Sequence, residues 1–484
     1  MGVPRIIALI RDMLKTNLVD RDTLMRIQDQ RLRAMLRHAV AHSDFYRKKY
    51  KGIDIETCKI TDLPVITKSE MMANFDDFVC DKRLKRSEIK VWLEDKSNLG
   101  KMYKGKYIPF QTSGTTGENA LVVYDRRAMD HVHATVIARH ALEEEPTGWE
   151  QLKIFLETLF VRRNRIASIV MTGGPYPAYT ATLFTPKAHA LFVEERIFPL
   201  RDPIDKIVKG LNEFQPVSIM SYPSLLALLA REQIAGRLDI KFDHPMSWLI
   251  TGSEPLSTSA KLLVKKAWGK GVQDTYGTAE CLIMARCCRQ FDRLHVMSDQ
   301  CVFEVVDRNN NPVPDGQVGE KVLITNLFNF AQPFIRYEVS DVTGYSLEKC
   351  SCGLPFPTLM PVEGRTDDIF YIDRPGGGYE AVHPYLFLGP IVELTDVREY
   401  RLTQTGRNEV TFSYIPVSPD MDIDARVQKV LMDGVAKANL AERFHMKFEC
   451  VSEIPRDKRS GKYRQIISVV GAPKDLNESE KWDH

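Results

Sequence analysis

The chain has 484 residues, of which 44% are hydrophobic, enough to bury roughly two or three cores. Its 66 Lys and Arg nearly cancel its 64 Asp and Glu, which excludes a general field for nucleic acid or an anionic membrane. A globular, multidomain protein is expected, with partners found through local sites.

The opening stretch MGVPRIIALIRDMLK has a short apolar core soon interrupted by charge and no small-residue cleavage site, so it reads as an amphipathic helix and not as a secretory signal. Ile6 stands where an acylation signal would need Ser or Thr. From Asp22 to Tyr50, apolar Leu24, Ile27, Leu32, Leu36 and Ala39 fall near helical spacing. From about Leu152, β-rich runs (KIFLETLF, IASIVM, PVSIMSY, SWLITG, VQDTYG) alternate with helix-like stretches at 203–212, 224–235 and 257–268. Such alternation predicts parallel strands with crossover helices, and ligands then gather at the carboxyl ends of the strands. CVFEVVDRNNNPVPDGQVGEKVLIT predicts a hairpin. Beyond EGRTDD, residues 366–484 predict a small α+β unit: DIFYI, a helix near 384–394, the hairpin REYRLTQTGRNEVTFSYI, a helix near 423–440 and HMKFECV. The polar end GAPKDLNESEKWDH is expected to fray. No stretch approaches the roughly 20 apolar residues of a membrane span.

TSGTTG at 112–117 has the composition of a phosphate-gripping loop, because glycines let N–H groups converge and hydroxyls add donors. A solvated turn is the alternative. The lysine of a GxxxxGK[ST] loop is absent, which disfavours a P-loop NTPase. Nine cysteines, an odd and clustered number, point to reduced thiols or metal ligands and to the cytoplasm. CSCG at 350–353, with Cys287, Cys288 and His295 upstream, could close a tetrahedral Zn²⁺ site. Cys288, His295, Cys350 and Cys352 are the expected set, in a structural role, with free buried thiols as the alternative.

TGSEP at 251–255, DTYGTAE at 274–280, IRYEVSD at 335–341, GRTDD at 364–368 and PRDKRSGKYR at 455–464 follow TSGTTG in this order. The chain thereby resembles the adenylate-forming superfamily of acyl-CoA synthetases and adenylation domains. LRHAVAHSDFYRKKY, DLPVITKSEM and CSCG resemble its phenylacetate–CoA ligase and CapK-like branch. The resemblance implies an α/β fold: a large N-terminal adenylate-forming domain over 1–365 with β-sheets and crossover helices, and a small mobile α+β C-terminal domain over 366–484 carrying a catalytic lysine.

It further implies an ATP-dependent ligase that converts an organic acid, aryl among the candidates, to acyl-AMP with release of pyrophosphate, then passes the acyl group to a thiol, coenzyme A first. Thr112, Ser113, Gly114, Thr115, Thr116 and Gly117 would hold the ATP phosphates. Gly252, Ser253, Glu254 and Pro255 would line the adenine pocket, with Tyr276 stacked on the base or simply buried in a core. Asp274, Thr275, Gly277 and Thr278 belong to the same nucleotide site. Glu280 would hold Mg²⁺, and Asp341 would accept both ribose hydroxyls. Arg336 and Arg365 are candidate ribose or phosphate contacts or, equally, structural ion pairs. Lys462 would place a cation between the α-phosphate and the attacking carboxylate, and Asp367 matches a hinge. The acyl pocket would lie near Tyr222, Pro223 and Met171–Tyr179.

Several positions depart from the family pattern. Ala279 removes a hydroxyl before Glu280, and Ser340 replaces the usual Gly or Arg before Asp341. Glu118, Asn119 and Ala120 offer no lysine after the first loop, and PRDKRSGK carries one extra residue. An adenylating enzyme serving an amine or a carrier protein, and a nucleotide-binding sensor without turnover, are the competing readings. A homodimer is compatible with all of them; nucleic acid and a membrane span are not expected.

Overall fold

The alternating runs of the middle of the chain become, in the computed structural model, one mixed nine-stranded sheet. The structure describes residues 3–112, 120–139, 164–185, 193–200, 202–242, 247–254, 256, 258–288, 293–360, 362, 364–365, 370–374, 378–382, 394, 396–418, 420–437, 440–455 and 464–470. The chain divides into two compact units: Met1–Leu256 with Ala260–Val339 and Gly344–Pro361, and Ser257–Ser259 with Ser340–Thr343 and Val362–His484.

In the first unit the expected opening helix spans Val3–Thr16. It buries Ile6 and Met13 against Ala134 and Ala138 of the helix Arg126–Ala138. The helix Arg21–His42 starts where Asp20 accepts the Thr23 N–H and buries Leu24, Leu32, Leu36 and Ala39, a side-chain cap worth about 1 kcal/mol.

A hairpin follows, β1 (Tyr107–Gln111) against β2 (Leu121–Asp125). Five strands then lie parallel in the order β4-β3-β5-β6-β7: β3 (Asn164–Val170), β4 (Val193–Pro199), β5 (Ser218–Ser221), β6 (Trp248–Gly252) and β7 (Val272–Tyr276). The helices Ile204–Phe214, Pro223–Ile234 and Thr258–Trp268 separate consecutive strands along the chain from β4 to β7. Ile207, Val208, Leu211 and Phe214 pack with Leu226, Leu229, Ile219 and Leu249 in one core. Each such side chain contributes about 1.5–3 kcal/mol by leaving water.

The sheet then turns antiparallel. β8 (Ala285–Cys287) pairs with β7, and β9 (Leu294–Val296) pairs with β8. The predicted hairpin is β10 (Cys301–Val306) with β11 (Lys321–Asn326), extended by β12 (Tyr337–Val339). After β13 (Asp341–Val342), which belongs to the second unit, β14 (Tyr345–Ser346) and β15 (Thr358–Leu359) complete the large sheet beside β9.

In the second unit β13 pairs with β16 (Gly364–Arg365). A small pair, β17 (Phe370–Asp373) and β18 (Tyr379–Val382), precedes a four-stranded sheet. That sheet contains the long hairpin β19 (Val397–Gly406) and β20 (Glu409–Pro416), with β21 (His445–Cys450) and β22 (Ile466–Ser468) parallel at its two edges. The helix Asp424–Lys437 supplies Val427 and Leu431 to a core with Leu402, Val410 and Phe412. The stretch KIFLETLF and residues 384–393 of the helix expected near 384–394 lie outside the described residues. No described helix is long and apolar enough to cross a membrane.

Candidate active site

At the end of β1, the Thr112 N–H donates to the Ala120 carbonyl at 2.9 Å, and the Ala120 N–H donates back to Thr112 Oγ1 at 2.9 Å. These two bonds draw together the ends of the segment 113–119. Ser113, Gly114, Thr115, Thr116 and Gly117 themselves lie outside the described residues. Amide side chains bind the backbone of β2 beside it: Gln332 Oε1 accepts the Val123 N–H at 2.7 Å, and Asn329 Nδ2 donates to the Val123 carbonyl at 3.1 Å. All four groups are buried, so each bond avoids the 1–3 kcal/mol cost of an unsatisfied polar atom.

The carboxyl ends of β6 and β7 bring two of the expected motifs side by side, with Gly252 in register with Thr275. A Cβ at Gly252 would stand 2.9 Å from the Thr275 carbonyl, so only glycine lets the strands end this closely. Ser253 then takes φ +69, a left-handed conformation that non-glycine residues seldom hold. The turn sends Glu254 toward the helix Pro223–Ile234, where its Oε2 accepts the Ser224 N–H at 3.2 Å, a carboxylate at a helix N-terminus. On β7, Asp274 Oδ1 accepts the Thr251 hydroxyl at 3.1 Å and the Thr275 N–H at 3.0 Å. Burial pushes the Asp274 carboxyl up to about 6 despite these bonds.

Beyond β7 the chain tightens. A Cβ at Gly277 would lie 2.1 Å from the Leu282 carbonyl. Thr278 closes the turn: its N–H donates to the Cys281 carbonyl at 3.1 Å, and its Oγ1 accepts the Cys281 N–H at 3.4 Å. Glu280 is buried, and its carbonyl accepts from Asn326 Nδ2 at 2.9 Å and from the Tyr124 hydroxyl at 3.3 Å. Tyr337 stands beside its carboxylate; burial first, and Glu280 second, push that phenol well above its usual range. Tyr276 is half-buried and meets Phe303 edge-on at 6.2 Å.

The expected acid-binding wall is close by. Tyr222 and Met171 are buried. Burial first, then the Glu254 carboxylate, raise the Tyr222 phenol, and Tyr176 adds a smaller effect in the same direction. Gly174 leaves room for Tyr176, whose ring carbon would come 2.8 Å from a Cβ there. The Gln111 N–H donates to the Pro175 carbonyl at 2.9 Å, which ties this loop to β1.

Arg336 takes the second of the roles open to it. Its Nε donates to Glu304 at 3.1 and 3.2 Å, its Nη1 to the Thr61 and Leu63 carbonyls at 3.0 and 2.6 Å, and its Nη2 lies 3.0 Å from Glu304 Oε1. With its nitrogens so engaged in a buried ion pair, the guanidinium brackets the chain entering β12. This ion pair is the structural role that the sequence left open for Arg336 beside a ribose or phosphate contact.

In the second unit Asp341 is buried at the start of β13, and its backbone is in register with Arg365. Pro255, Asp367 and Lys462 lie outside the described residues, as does the side chain of Arg365.

The nine cysteines are all free thiols. Four expected ligands do converge: Cys288, His295, Cys350 and Cys352, with every ligand atom within 4.8 Å of the others. Cys288 Sγ and Cys350 Sγ are 3.6 Å apart, and His295 Nε2 is 3.2 Å from Cys352 Sγ. Cys287, the other thiol upstream, makes its contacts with the Val272 and Cys288 carbonyls and stands outside the group.

With this geometry in place, residues 24–326 match the AMP-binding enzyme family. The chain belongs to that family. It is an AMP-forming ligase in the phenylacetate–CoA ligase-like branch of the adenylate-forming superfamily. A phenylacetate–coenzyme A ligase of Thermus thermophilus is 24% identical over 73% of this chain and 72% of its own length. One from Pseudomonas putida is 26% identical over 72% of each. Protein CapK of Staphylococcus aureus is 21% identical over 92% of this chain and 90% of its own. A crystal structure of 2-hydroxyisobutyryl-CoA ligase in a postadenylation state shares the fold, with a TM-score of 0.66 at 20% identity over 93% of this chain and 90% of that one.

Within this ligase the structure adds residues that sequence reasoning passed over. Tyr124 and Asn326 hold the backbone of Glu280, and Gln332 and Asn329 hold β2. Their only sequence signal is polar side chains amid the apolar runs LVVYD and VLITNLFNFAQ, which a strand core tolerates only when each has a partner.

Proposed function

We propose that the protein couples ATP to the activation of a small carboxylic acid as acyl-AMP and then transfers the acyl group to coenzyme A. The observation that carries this reading is the meeting of Gly252–Glu254 and Tyr276–Glu280 at the carboxyl ends of neighbouring parallel strands, with Glu280 pinned by Tyr124 and Asn326. Support comes from relatives whose names are phenylacetate–coenzyme A ligases.

Gly252, Ser253 and Glu254 serve the adenine with backbone groups, and Tyr276 offers a ring for stacking. Thr112 anchors the loop of Ser113–Gly117 that grips the phosphates. Glu280 fits a divalent cation: it is a hard oxygen donor, buried, and its backbone is fixed. Magnesium bound there would neutralise phosphate charge. Asp341 takes the ribose hydroxyls, and Lys462 supplies the cation for acyl attack on the α-phosphate. Tyr222, Tyr176 and Met171 favour a flat apolar acid, so aryl acids are the first class to test. The reduced state of nine free thiols supports a cytoplasmic setting.

Acid-dependent exchange of labelled pyrophosphate into ATP, run over a panel of aryl and short aliphatic acids, tests the first half-reaction. Release of AMP that depends on coenzyme A tests the second. Exchange without stimulation by coenzyme A would move the reading to an amine or carrier-protein acceptor. ATP binding without exchange for any acid would leave a sensor.

A further inference from the structure

The Cys288, His295, Cys350 and Cys352 cluster has a geometry that thiols alone do not require. Zn–S and Zn–N bonds of about 2.3 and 2.0 Å give a tetrahedron with S···S edges of about 3.8 Å and S···N edges of about 3.5 Å. The observed edges of 3.6 Å for Cys288–Cys350 and 3.2 Å for His295–Cys352 lie close to those lengths. A disulfide would need about 2.05 Å.

The imidazole is also oriented for a metal. His295 Nδ1 is 3.0 Å from the Phe356 carbonyl, which can only accept, so Nδ1 carries the proton and Nε2 presents its lone pair toward Cys352. Such an outer hydrogen bond is the usual companion of a ligating histidine. Gly353, at φ +82, turns the chain directly after Cys352, and its N–H donates to the Cys350 carbonyl at 3.1 Å. That turn folds two cysteines one residue apart onto one point. Cys288, His295 and Cys350 are buried and Cys352 is half-buried, so four protein ligands leave no position for substrate. Thiolate and imidazole donors select zinc over magnesium or calcium.

The location of the cluster gives the ion a task. Gly252, Thr275, Arg286, His295 and Thr358 are successive register partners across β6, β7, β8, β9 and β15. Register partners share one face of a sheet. Arg286, between the cluster and the nucleotide motif, is buried and donates from Nη1 to Thr275 Oγ1 at 3.1 Å. Cys350 and Cys352 come from the segment between β14 and β15, whereas Cys288 and His295 come from the β8–β9 hairpin.

We infer that the four side chains bind one structural zinc ion that staples the antiparallel arm β14-β15-β9-β8 into register with β7, and so holds the strand end that carries Thr275 and Tyr276. The inference concerns the large sheet itself and stands whether or not the acceptor is coenzyme A.

The test begins with the metal content of the full-length protein purified without chelator or affinity metal. About one zinc per chain is expected, with little iron. Growth with cobalt in place of zinc should give the intense visible bands of tetrahedral thiolate-bound Co²⁺. Cys352→Ser should lose the ion, melt at a lower temperature and raise the KM for ATP several-fold more than it lowers kcat. Cys287→Ala, which removes the neighbouring thiol outside the cluster, should keep both the ion and the cobalt spectrum. A folded wild-type protein without stoichiometric zinc, or with iron in its place, overturns the assignment. Cys352→Ser with full zinc content does the same. If Cys352→Ser loses zinc but melts and binds ATP as the wild type does, the ion is present and the staple is refuted.

Discussion

Gly277 has no space for a side chain, because a Cβ there would stand 2.1 Å from the Leu282 carbonyl. The obstacle is backbone, so relief would require the turn carrying Thr278 and Glu280 to open. Gly277→Ala is expected to destabilise the protein by about 3 kcal/mol or more, read as a shift in urea midpoint, and to abolish acid-dependent exchange. Asp274 gives a second test at the same scale, with a defined sign. Its carboxyl ionises near 6 in the folded state against a reference of 3.8, so between those values the folded chain holds a proton that the unfolded chain has released. Stability from this group therefore falls as pH rises from about 4 to about 6, by up to about 3 kcal/mol. Asp274→Asn cannot titrate. Subtracting its unfolding free energies from those of the wild type across pH 4–7 should reveal that decline, and a flat difference would show that Asp274 ionises normally. The glycine in DTYGTAE was visible as a motif, but its reason is a carbonyl five residues later, which no residue pattern displays.

At the scale of elements, the β-rich runs IASIVM, PVSIMSY, SWLITG and VQDTYG were legible as strands because short apolar runs separated by helical periodicity have few other solutions. The cysteine set was legible too, since CSCG and the Cys288–His295 hairpin spacing limit which ligands can meet. Less visible was how β2 and β11 support Glu280, because those contacts join residues 156 and 46 positions apart. The ion pair of Arg336 was open as one of two roles, but its partner was hidden for a related reason: Glu304 sits 32 residues upstream across the β10–β11–β12 sheet. The support for Glu280 can be tested on its own. Asn326→Ala removes the 2.9 Å donor to the Glu280 carbonyl and also strips the Phe328 and Asn329 N–H groups of their shared acceptor. A loss of about 1–3 kcal/mol in stability is expected. Exchange should also demand more magnesium, since the ligand's backbone is no longer held. An unchanged magnesium dependence would separate Asn326 from the site.

At the scale of the molecule, the proposed chemistry separates into two half-reactions with different charge demands. This difference predicts which half-reaction each substitution harms. Adenylation sets an anionic carboxylate against an anionic phosphate, and the barrier falls when a fixed cation offsets the charge gathered in the transition state. Thiol attack on a preformed acyl-AMP expels AMP and brings no second anion to the phosphorus, so it does not need that cation. Lys462→Ala should therefore reduce acid-dependent pyrophosphate exchange by roughly 10²–10³-fold. Thioester formation from chemically prepared acyl-AMP and coenzyme A should stay within a few-fold of the wild type. Glu280→Gln should likewise depress exchange, and added magnesium should recover part of the loss because a neutral amide remains a weak oxygen donor; no such recovery is expected for Lys462→Ala. Equal loss of both half-reactions in Lys462→Ala would assign the lysine to folding or to general nucleotide affinity, and the cation for acyl attack would then have to be sought among Lys458, Arg459 and Arg464, its neighbours in the sequence PRDKRSGKYR.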